Sequence, residues 1–139
     1  MTIEKYFLAC FSFLLLISCG NDSSKIKVDK ANVMDSLRAK EDYIVATTTD
    51  GDQMKILFMK GYGLPDSYVI QNSSGNREIM MSMDKGVRRD EIMISMEVNC
   101  QTKEYRSTSS RDSEWKKITA DRSLVAYGVT YACELPARE

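Results

Sequence analysis

The fold of this chain is decided by the stretch Ile92-Met93-Ile94-Ser95-Met96-Glu97-Val98-Asn99-Cys100. Every second residue from Ile92 to Cys100 is apolar, and most of the residues between them are polar. This period of two is typical of a β-strand. The pattern predicts a half-buried strand of an antiparallel sheet, with the side chain of Cys100 turned toward the core. We therefore expect a sheet that buries one of its faces.

Other stretches carry the same alternation of β-branched or apolar residues, with turn residues between them. These predicted strands cover residues 43–49, 53–60, 67–71, 78–84 and 103–108. Asp50-Gly51 separates the first two strands and is a strong hairpin signal. Trp115 and Ile118 follow a polar loop and are expected to bring the chain back to the core. The sequence thus predicts an antiparallel sheet of about five to six strands.

Two segments fit more than one element. Residues 29–40 are predicted either as a short helix or as an extension of a polar tether. The alternation of residues 124–133 is that of a strand, and β propensity supports this interpretation. As a helix, the same segment would be capped by Asp121 or Ser123 and ended by Pro136. The residues alone favour the strand slightly.

The first 18 residues have the features of a bacterial lipoprotein signal peptide. An apolar run ends in Leu16-Ile17-Ser18-Cys19, which fits the lipobox, the motif whose cysteine is acylated and becomes the first residue of the mature protein. The run is too short to span a bilayer comfortably, since that takes about 20 apolar residues. We expect residues 1–18 to be removed and Cys19 to carry the lipid, including palmitate.

The residues after the lipobox predict where the protein is placed. Residues 19–41 begin with a small, polar stretch and are interpreted as a lipid-anchored tether, with room for the short helix. Gly20 follows the lipidated cysteine, whereas an aspartate there favours inner-membrane retention in enteric-type sorting. We therefore expect a lipid anchor in the outer membrane, with the domain either surface-exposed or facing the periplasm. Residues 42–139 are then expected to form a single domain.

Two of the four cysteines remain after these assignments. Cys10 leaves with the signal peptide and Cys19 is acylated, so Cys100 and Cys133 are an even pair in an exported protein. A disulfide between them would stabilise the fold by roughly 3 to 4 kcal/mol in the chain-entropy model. Free thiols, or a metal site completed by carboxylates, are the alternatives that the residues leave open.

The composition argues against catalysis and against nucleic-acid binding. The chain contains no histidine, so the commonest general base is missing, and no motif marks another active site. A net charge of −1 steers the protein toward neither nucleic acid nor an anionic membrane surface. We expect a non-enzymatic protein without cofactor or metal. Methionines crowd two neighbouring strands. Met81 and Met83 share a face with Ile79, and Met96 shares one with Ile92 and Ile94, so core packing is favoured over a copper(I) site. The methionines of these strands are Met80, Met81, Met83, Met93 and Met96.

The carboxyl-terminal half carries an ordered set of motifs. They are Val98-Asn99-Cys100 at a strand end, Tyr105-Arg106 on the next strand, Trp115 and Ile118 after a polar loop, and Cys133. In order and spacing this set resembles the surface-adhesin protein E family of Gram-negative outer-membrane lipoproteins, over about residues 90–133.

The resemblance has consequences for fold and function. It implies that residues 42–139 form an α+β domain, an antiparallel sheet with a carboxyl-terminal helix tied to it by a Cys100–Cys133 disulfide. It therefore favours the helix for residues 124–133. It also implies an adhesin-like function, with a host extracellular-matrix protein as partner, and a homodimer. The alternative is a lipoprotein that faces the periplasm and binds or inhibits an envelope component.

Binding residues cannot be transferred from that family, because they lie in variable loops. From the residues alone, Tyr62, Tyr68, Arg88 and Arg89 are the candidates for partner binding. They lie at predicted turns and offer aromatic and guanidinium groups, which are enriched at interface hot spots. Tyr62 and Tyr68 flank a turn and are expected to be exposed. An exposed edge strand is a further route to a partner.

Overall fold

The computed structural model describes residues 26–60, 66–85, 90–110, 112–120 and 123–138. The elements are α1 (Lys30–Arg38), β1 (Tyr43–Thr47), β2 (Gln53–Ile56), β3 (Val69–Gln71), β4 (Arg77–Lys85), β5 (Asp90–Asn99), β6 (Glu104–Ser107), β7 (Lys116–Lys117) and α2 (Leu124–Glu134). Neither described helix is long and apolar enough to cross a bilayer. The predicted signal peptide, Cys19, Tyr62, Arg88 and Arg89 lie outside the described residues.

The strands form one seven-stranded antiparallel sheet. Its order is β1-β2-β4-β5-β6-β7. The long strand β4 pairs with β5 on one edge and with both β2 and β3 on the other. The predicted α+β fold is therefore confirmed. Strand β7 was not predicted, because two residues are too few to show a period.

One face of the sheet is buried, and we call it the inner face. The fully buried side chains of the central strands lie on it: Ile79, Met81, Met96 and Val98. Because Met96 pairs with Ile79, the alternation predicted for β5 is confirmed, as is the core role of the inward methionines. Full burial of one such side chain stabilises the folded protein by about 1.5 to 3 kcal/mol. The four side chains together therefore make the inner face a major source of core stability.

Helix α2 packs on β4 and β5 across the inner face. Ser123 caps it, since the Ser123 Oγ accepts a hydrogen bond from the Ala126 amide at 3.1 Å. A Cβ at Gly128 would lie 2.7 Å from the Met96 Cε, so a glycine here lets the helix approach the sheet closely. The helix implied by the resemblance is confirmed and the strand favoured by the residues alone is wrong, because helix capping and packing outweigh local β propensity.

The end of α2 is fixed to the sheet in two ways. Cys100, just beyond β5, forms a disulfide with Cys133 in the last turn of the helix. The Arg77 Nη1 donates hydrogen bonds to the carbonyl oxygens of Ala132, at 3.1 Å, and Leu135, at 2.6 Å. Carbonyls at a helix end lack partners within the helix, and a cation there also favours the helix dipole. The predicted disulfide is confirmed, which excludes the free-thiol and metal alternatives for this pair.

Helix α1 also belongs to the folded unit. The Asp29 side chain caps it by accepting a hydrogen bond from the Asn32 amide at 3.2 Å. Val33 is fully buried in the core, and Ile26 and Val28 pack against the same core. Of the two alternatives for this segment, the short helix is the one observed. The folded unit therefore extends back to Ile26, into the stretch that was predicted as tether.

Candidate binding surface

Tyr68 is not part of an exposed surface, and this prediction is wrong. Its side chain is 2% exposed, and its hydroxyl donates a hydrogen bond to the Glu41 carbonyl at 2.6 Å. Burial raises the pKa of Tyr68 to about 12, with smaller contributions from nearby acidic residues. The reason is that Ser67 already bridges to Met59, so the sheet resumes before Tyr68 and takes its ring into the core. The other three candidates lie outside the described residues.

The described sheet edges are poor templates for an added strand. β1 carries a register shift between Ile44 and Ala46, a bulge of the kind that interrupts edge pairing. β7 consists of two exposed lysines. The outer edge of β3 is occupied, because the Gln71 amide donates to the Arg138 carbonyl at 2.7 Å. These edges therefore do not favour binding by strand addition.

The second face of the sheet, which we call the outer face, has no described helix packed on it. Strand register arranges its side chains in rows across the sheet. One row runs Ile44, Lys55, Ser82 and Met93, and the next runs Leu57, Met80, Ser95 and Thr108. Ile44 is 45% exposed and Met93 is 55% exposed. We call the four apolar members of these rows, Ile44, Leu57, Met80 and Met93, the apolar strip.

Ser82 lies at the centre of this face but is fully buried. It pairs with Lys55 on one side and with Met93 on the other. The Lys55 Nζ lies 3.9 Å from an oxygen of Asp84, which follows Ser82 by two residues on β4. Because Lys55 pairs with Ser82 and reaches toward Asp84, its aliphatic stem runs beside Ser82. The Ser82 Oγ has no hydrogen-bond partner among the described residues. A short polar side chain is thus enclosed by long, flexible neighbours.

A polar network, which we call the Glu97 cluster, occupies one end of the outer face. Glu97 is 6% exposed, and its carboxylate accepts hydrogen bonds from the Arg106 Nε at 2.7 Å, the Asn72 Nδ2 at 2.8 Å and the Asn76 Nδ2 at 2.9 Å. Burial by itself would raise the pKa of Glu97. The three hydrogen bonds and the charge of Arg106 outweigh burial, so the pKa is lowered from its ordinary value.

The Glu97 cluster continues into an arginine–tryptophan stack. The guanidinium carbon of Arg106 lies 4.6 Å from the centre of the Trp115 ring, within cation–π range. Within the described part of the chain, neither terminal nitrogen of Arg106 has a hydrogen-bond acceptor. Glu97 and Trp115 therefore hold the guanidinium in place, while its terminal nitrogens have no partner among the described residues. Arginine and tryptophan are both enriched at interface hot spots.

The prediction that Trp115 lies in the core is wrong. Lys116 pairs with Tyr105, whose side chain is on the inner face, so the preceding residue Trp115 falls on the outer face opposite Arg106. Ile118, in contrast, packs against the core as expected. A two-residue strand decided this orientation, and no period in the sequence could indicate it.

The charged side chains of the outer face are predominantly acidic. Register places Glu78, Asp84, Glu91, Glu97 and Glu104 there, with Lys55, Arg106 and Lys117. Lys55 lies near Asp84, and Arg106 neutralises Glu97. The remaining carboxylates of Glu78, Glu91 and Glu104 outnumber the single remaining cation, so the described part of this face is net negative.

Neither a metal centre nor a known relative identifies this surface. Over the described residues, no group of three or more histidine, cysteine, aspartate or glutamate side chains could hold a metal ion. No family model, curated protein or solved structure gives a significant match to the chain. The resemblance to the surface-adhesin protein E family therefore stays an expectation.

Sequence reasoning missed the outer face because it placed the candidates in turns. The available signal lay within the stretch that decides the fold, where Met93 and Glu97 alternate with the core residues. Arg106 lies on the neighbouring predicted strand with the opposite charge, which is a cross-strand pairing signal. Neither the burial of Glu97 nor the stacking of Arg106 on Trp115 could be read from spacing alone.

Proposed function

We propose that this protein is a non-enzymatic, outer-membrane lipoprotein that is anchored through Cys19 and binds a protein partner in the manner of an adhesin. The observation that carries the proposal is the asymmetry of the sheet. Both described helices contribute to the core on the inner face, whereas the described part of the outer face exposes an apolar strip beside a preorganised arginine–tryptophan stack. Large exposed apolar side chains and such a stack are features of protein-binding surfaces.

A binding role suits the rigidity of this face. Glu97 fixes Arg106, and Asn72 and Asn76 fix Glu97, so little side-chain freedom remains to be lost when a partner binds. The disulfide and the Arg77 contacts hold α2 against the inner face of the sheet. The lipid tether predicted from the lipobox would then present a stiff surface to its partner.

The test is a capture experiment with matched variants. The purified domain is immobilised and exposed separately to extracellular-matrix proteins and to a detergent extract of the bacterial envelope. Met80→Ser/Met93→Ser changes the outer face, whereas Ile92→Ser changes a residue of β5 that is 43% exposed on the inner face. We expect the domain and Ile92→Ser to capture a matrix protein, and the double variant to lose it.

The outcomes separate the rival functions. Capture of an envelope component alone, again lost in Met80→Ser/Met93→Ser, would favour the periplasm-facing alternative over the adhesin. Equal capture by all three proteins would discard the outer face as the binding surface.

Cys19→Ala should release the protein from membranes. Unchanged membrane fractionation and unchanged mass of that variant would contradict the proposed anchor.

A further inference from the structure

The apolar strip has the dimensions of a single-segment binding site. Ile44 and Met93 lie in one row, separated by Lys55 and Ser82, so three strand spacings of about 4.8 Å place them roughly 14 Å apart. Leu57 and Met80 are adjacent in the next row, where the Leu57 amide donates to the Met80 carbonyl at 3.0 Å. A strip of this length fits the apolar side of one helix or one extended segment.

The centre of the strip can adapt to an inserted side chain. Ser82 is fully buried and is much smaller than its cross-strand neighbours Lys55 and Met93. Methionine and lysine side chains are flexible, and methionine-rich surfaces repack around different apolar groups. Movement of Met93 would open a small cavity above Ser82, whose hydroxyl has no partner among the described residues. The strip therefore suits a partner with projecting apolar side chains.

Carboxylates flank the strip on both of its long sides, and we call Glu78, Asp84, Glu91 and Glu104 the acidic rim. Glu78 and Glu104 lie on the side of the Glu97 cluster, and Asp84 pairs with Glu91 on the opposite side. The side chains of Glu91 and Asp84 are solvent-accessible, with Asp84 47% exposed. An apolar strip between two acidic sides is complementary to an amphipathic segment whose apolar side chains are flanked on both sides by cationic ones.

The same charges disfavour two other occupants. A second copy stacked face to face about a two-fold axis would bring acidic rim against acidic rim or against the same apolar strip. The described part of the face has only three cations to offset these charges, Lys55, Arg106 and Lys117. An anionic lipid surface would be repelled by the rim. A cationic polypeptide segment gains from both the strip and the rim.

We propose that the outer face binds a cationic, amphipathic segment of a protein partner, with apolar anchors on the strip and lysine or arginine side chains at the acidic rim. This inference rests on the proposed function and deepens it by naming the chemistry of the partner. Because the rim is exposed, the ionic part of the interaction weakens as salt screens it, whereas the apolar part persists.

The test uses labelled synthetic peptides and the purified domain, followed by fluorescence anisotropy. One peptide places leucine and lysine at helical spacing, a second replaces every lysine by glutamate, and a third replaces every leucine by serine. We expect the leucine–lysine peptide to bind, and the leucine–glutamate and serine–lysine peptides to bind at least about tenfold more weakly. Added salt should weaken binding of the first peptide.

Matched variants test whether the peptide binds to the outer face. Met80→Ser/Met93→Ser removes half of the strip, with Ile92→Ser as its control. Glu91→Lys/Glu104→Lys cancels the net charge of the rim, and Asp35→Lys/Glu134→Lys makes the same change of charge on the two helices. We expect each outer-face variant to weaken binding about tenfold, and each control to retain it. Thermal unfolding confirms that every variant is folded.

Several results would overturn the inference. One is that the leucine–glutamate peptide binds as tightly as the leucine–lysine peptide, and another is that the helix control variant loses as much peptide affinity as the outer-face variants. The others are self-association of the domain that Met80→Ser/Met93→Ser abolishes, and binding of the domain to phosphatidylglycerol vesicles through the outer face. Failure here is distinct from failure of the proposed function. Capture of a matrix or envelope protein without peptide binding would reject only this partner chemistry, and peptide binding without any capture would reject only the proposed function.

Discussion

Glu97 and Ser82 are buried polar residues on the same face, and they have opposite effects on stability. Glu97 has its carboxylate saturated by Arg106, Asn72 and Asn76, so its burial is compensated. Ser82 has no partner among the described residues, so its hydroxyl is desolvated without compensation. A residue that lowers stability at the centre of an open face is consistent with a role in binding.

Replacing Ser82 by alanine should stabilise the protein. Ser82→Ala removes a buried hydroxyl that has lost water and gained no hydrogen bond, so we expect the free energy of unfolding to rise by about 1 kcal/mol. Ser67→Ala is the matched control, because the Ser67 Oγ donates a hydrogen bond to the Val69 carbonyl at 2.9 Å. Removing this hydroxyl should lower the free energy of unfolding by about 1 kcal/mol. Denaturant unfolding measures both. A loss of stability in Ser82→Ala would show that the hydroxyl has a partner after all.

Glu97 should make stability depend on acid pH. Its pKa in the folded protein lies below the ordinary value of 4.5, so the stabilisation is fully present above pH 4.5 and is lost as the pH falls through the folded pKa. At neutral pH we expect Glu97→Gln to be less stable than the parent by about 1.5 to 3 kcal/mol. The difference should shrink between about pH 5 and pH 2.

Denaturant unfolding at a series of pH values measures this difference. Glu134→Gln is the control, because it removes an exposed carboxylate at the end of α2. A gap between parent and Glu97→Gln that stays constant over the acid range would mean that Glu97 does not titrate as the hydrogen bonds indicate.

At the scale of elements, α2 depends on the absence of a side chain at Gly128. Gly128→Val would place new atoms against Met96 and Met81 in a core where both are fully buried. Overpacking of this kind costs about 1 to 3 kcal/mol, and we expect that loss in the free energy of unfolding. Thr130→Val is the control, because it places valine at a half-buried position of the same helix with almost no change of volume and removes only the hydrogen bond that the Thr130 Oγ1 donates to the Ala126 carbonyl. Comparable losses in the two variants would argue against close helix–sheet packing at Gly128.

The disulfide is the second device that fixes α2. Its cysteines are 33 positions apart, so its removal should lower the free energy of unfolding by roughly 3 to 4 kcal/mol in the chain-entropy model. Cys100→Ser/Cys133→Ser is compared with the parent under oxidising and reducing conditions. We expect reduction to destabilise only the parent. A parent that is indifferent to reductant would contradict a structural role for the bond.

Strands and helices with a clear period in the sequence were predicted well. Predictions for single residues outside such a period, such as Tyr68, were wrong. The alternation over residues 92–100 determined the register of β5, and Ser123 and Pro136 marked a helix correctly as an alternative. Tyr68 failed because a turn signal says where the chain bends, not where the next strand bridge begins. The Glu97 cluster joins a loop, two strands and Trp115, and such convergence of distant residues leaves no local pattern.

The two faces of the sheet divide the molecule into a side that stabilises the fold and a side that is open to a partner. The inner face carries the core, both described helices and the disulfide. The outer face carries the apolar strip, the acidic rim and the Glu97 cluster. Met93 and Ile92 are neighbours on β5, similarly exposed, yet they point to opposite faces. They therefore compare the faces with minimal change to the protein.

The most direct measurement is site-specific photo-cross-linking on intact cells. A photo-reactive amino acid replaces Met93 in one strain and Ile92 in another, and adducts are identified by mass spectrometry after irradiation. Cross-links to a partner protein from position 93 and none from position 92 are the predicted result. Adducts of equal yield from the two positions, or from position 92 alone, would contradict the claim that the outer face is the binding surface.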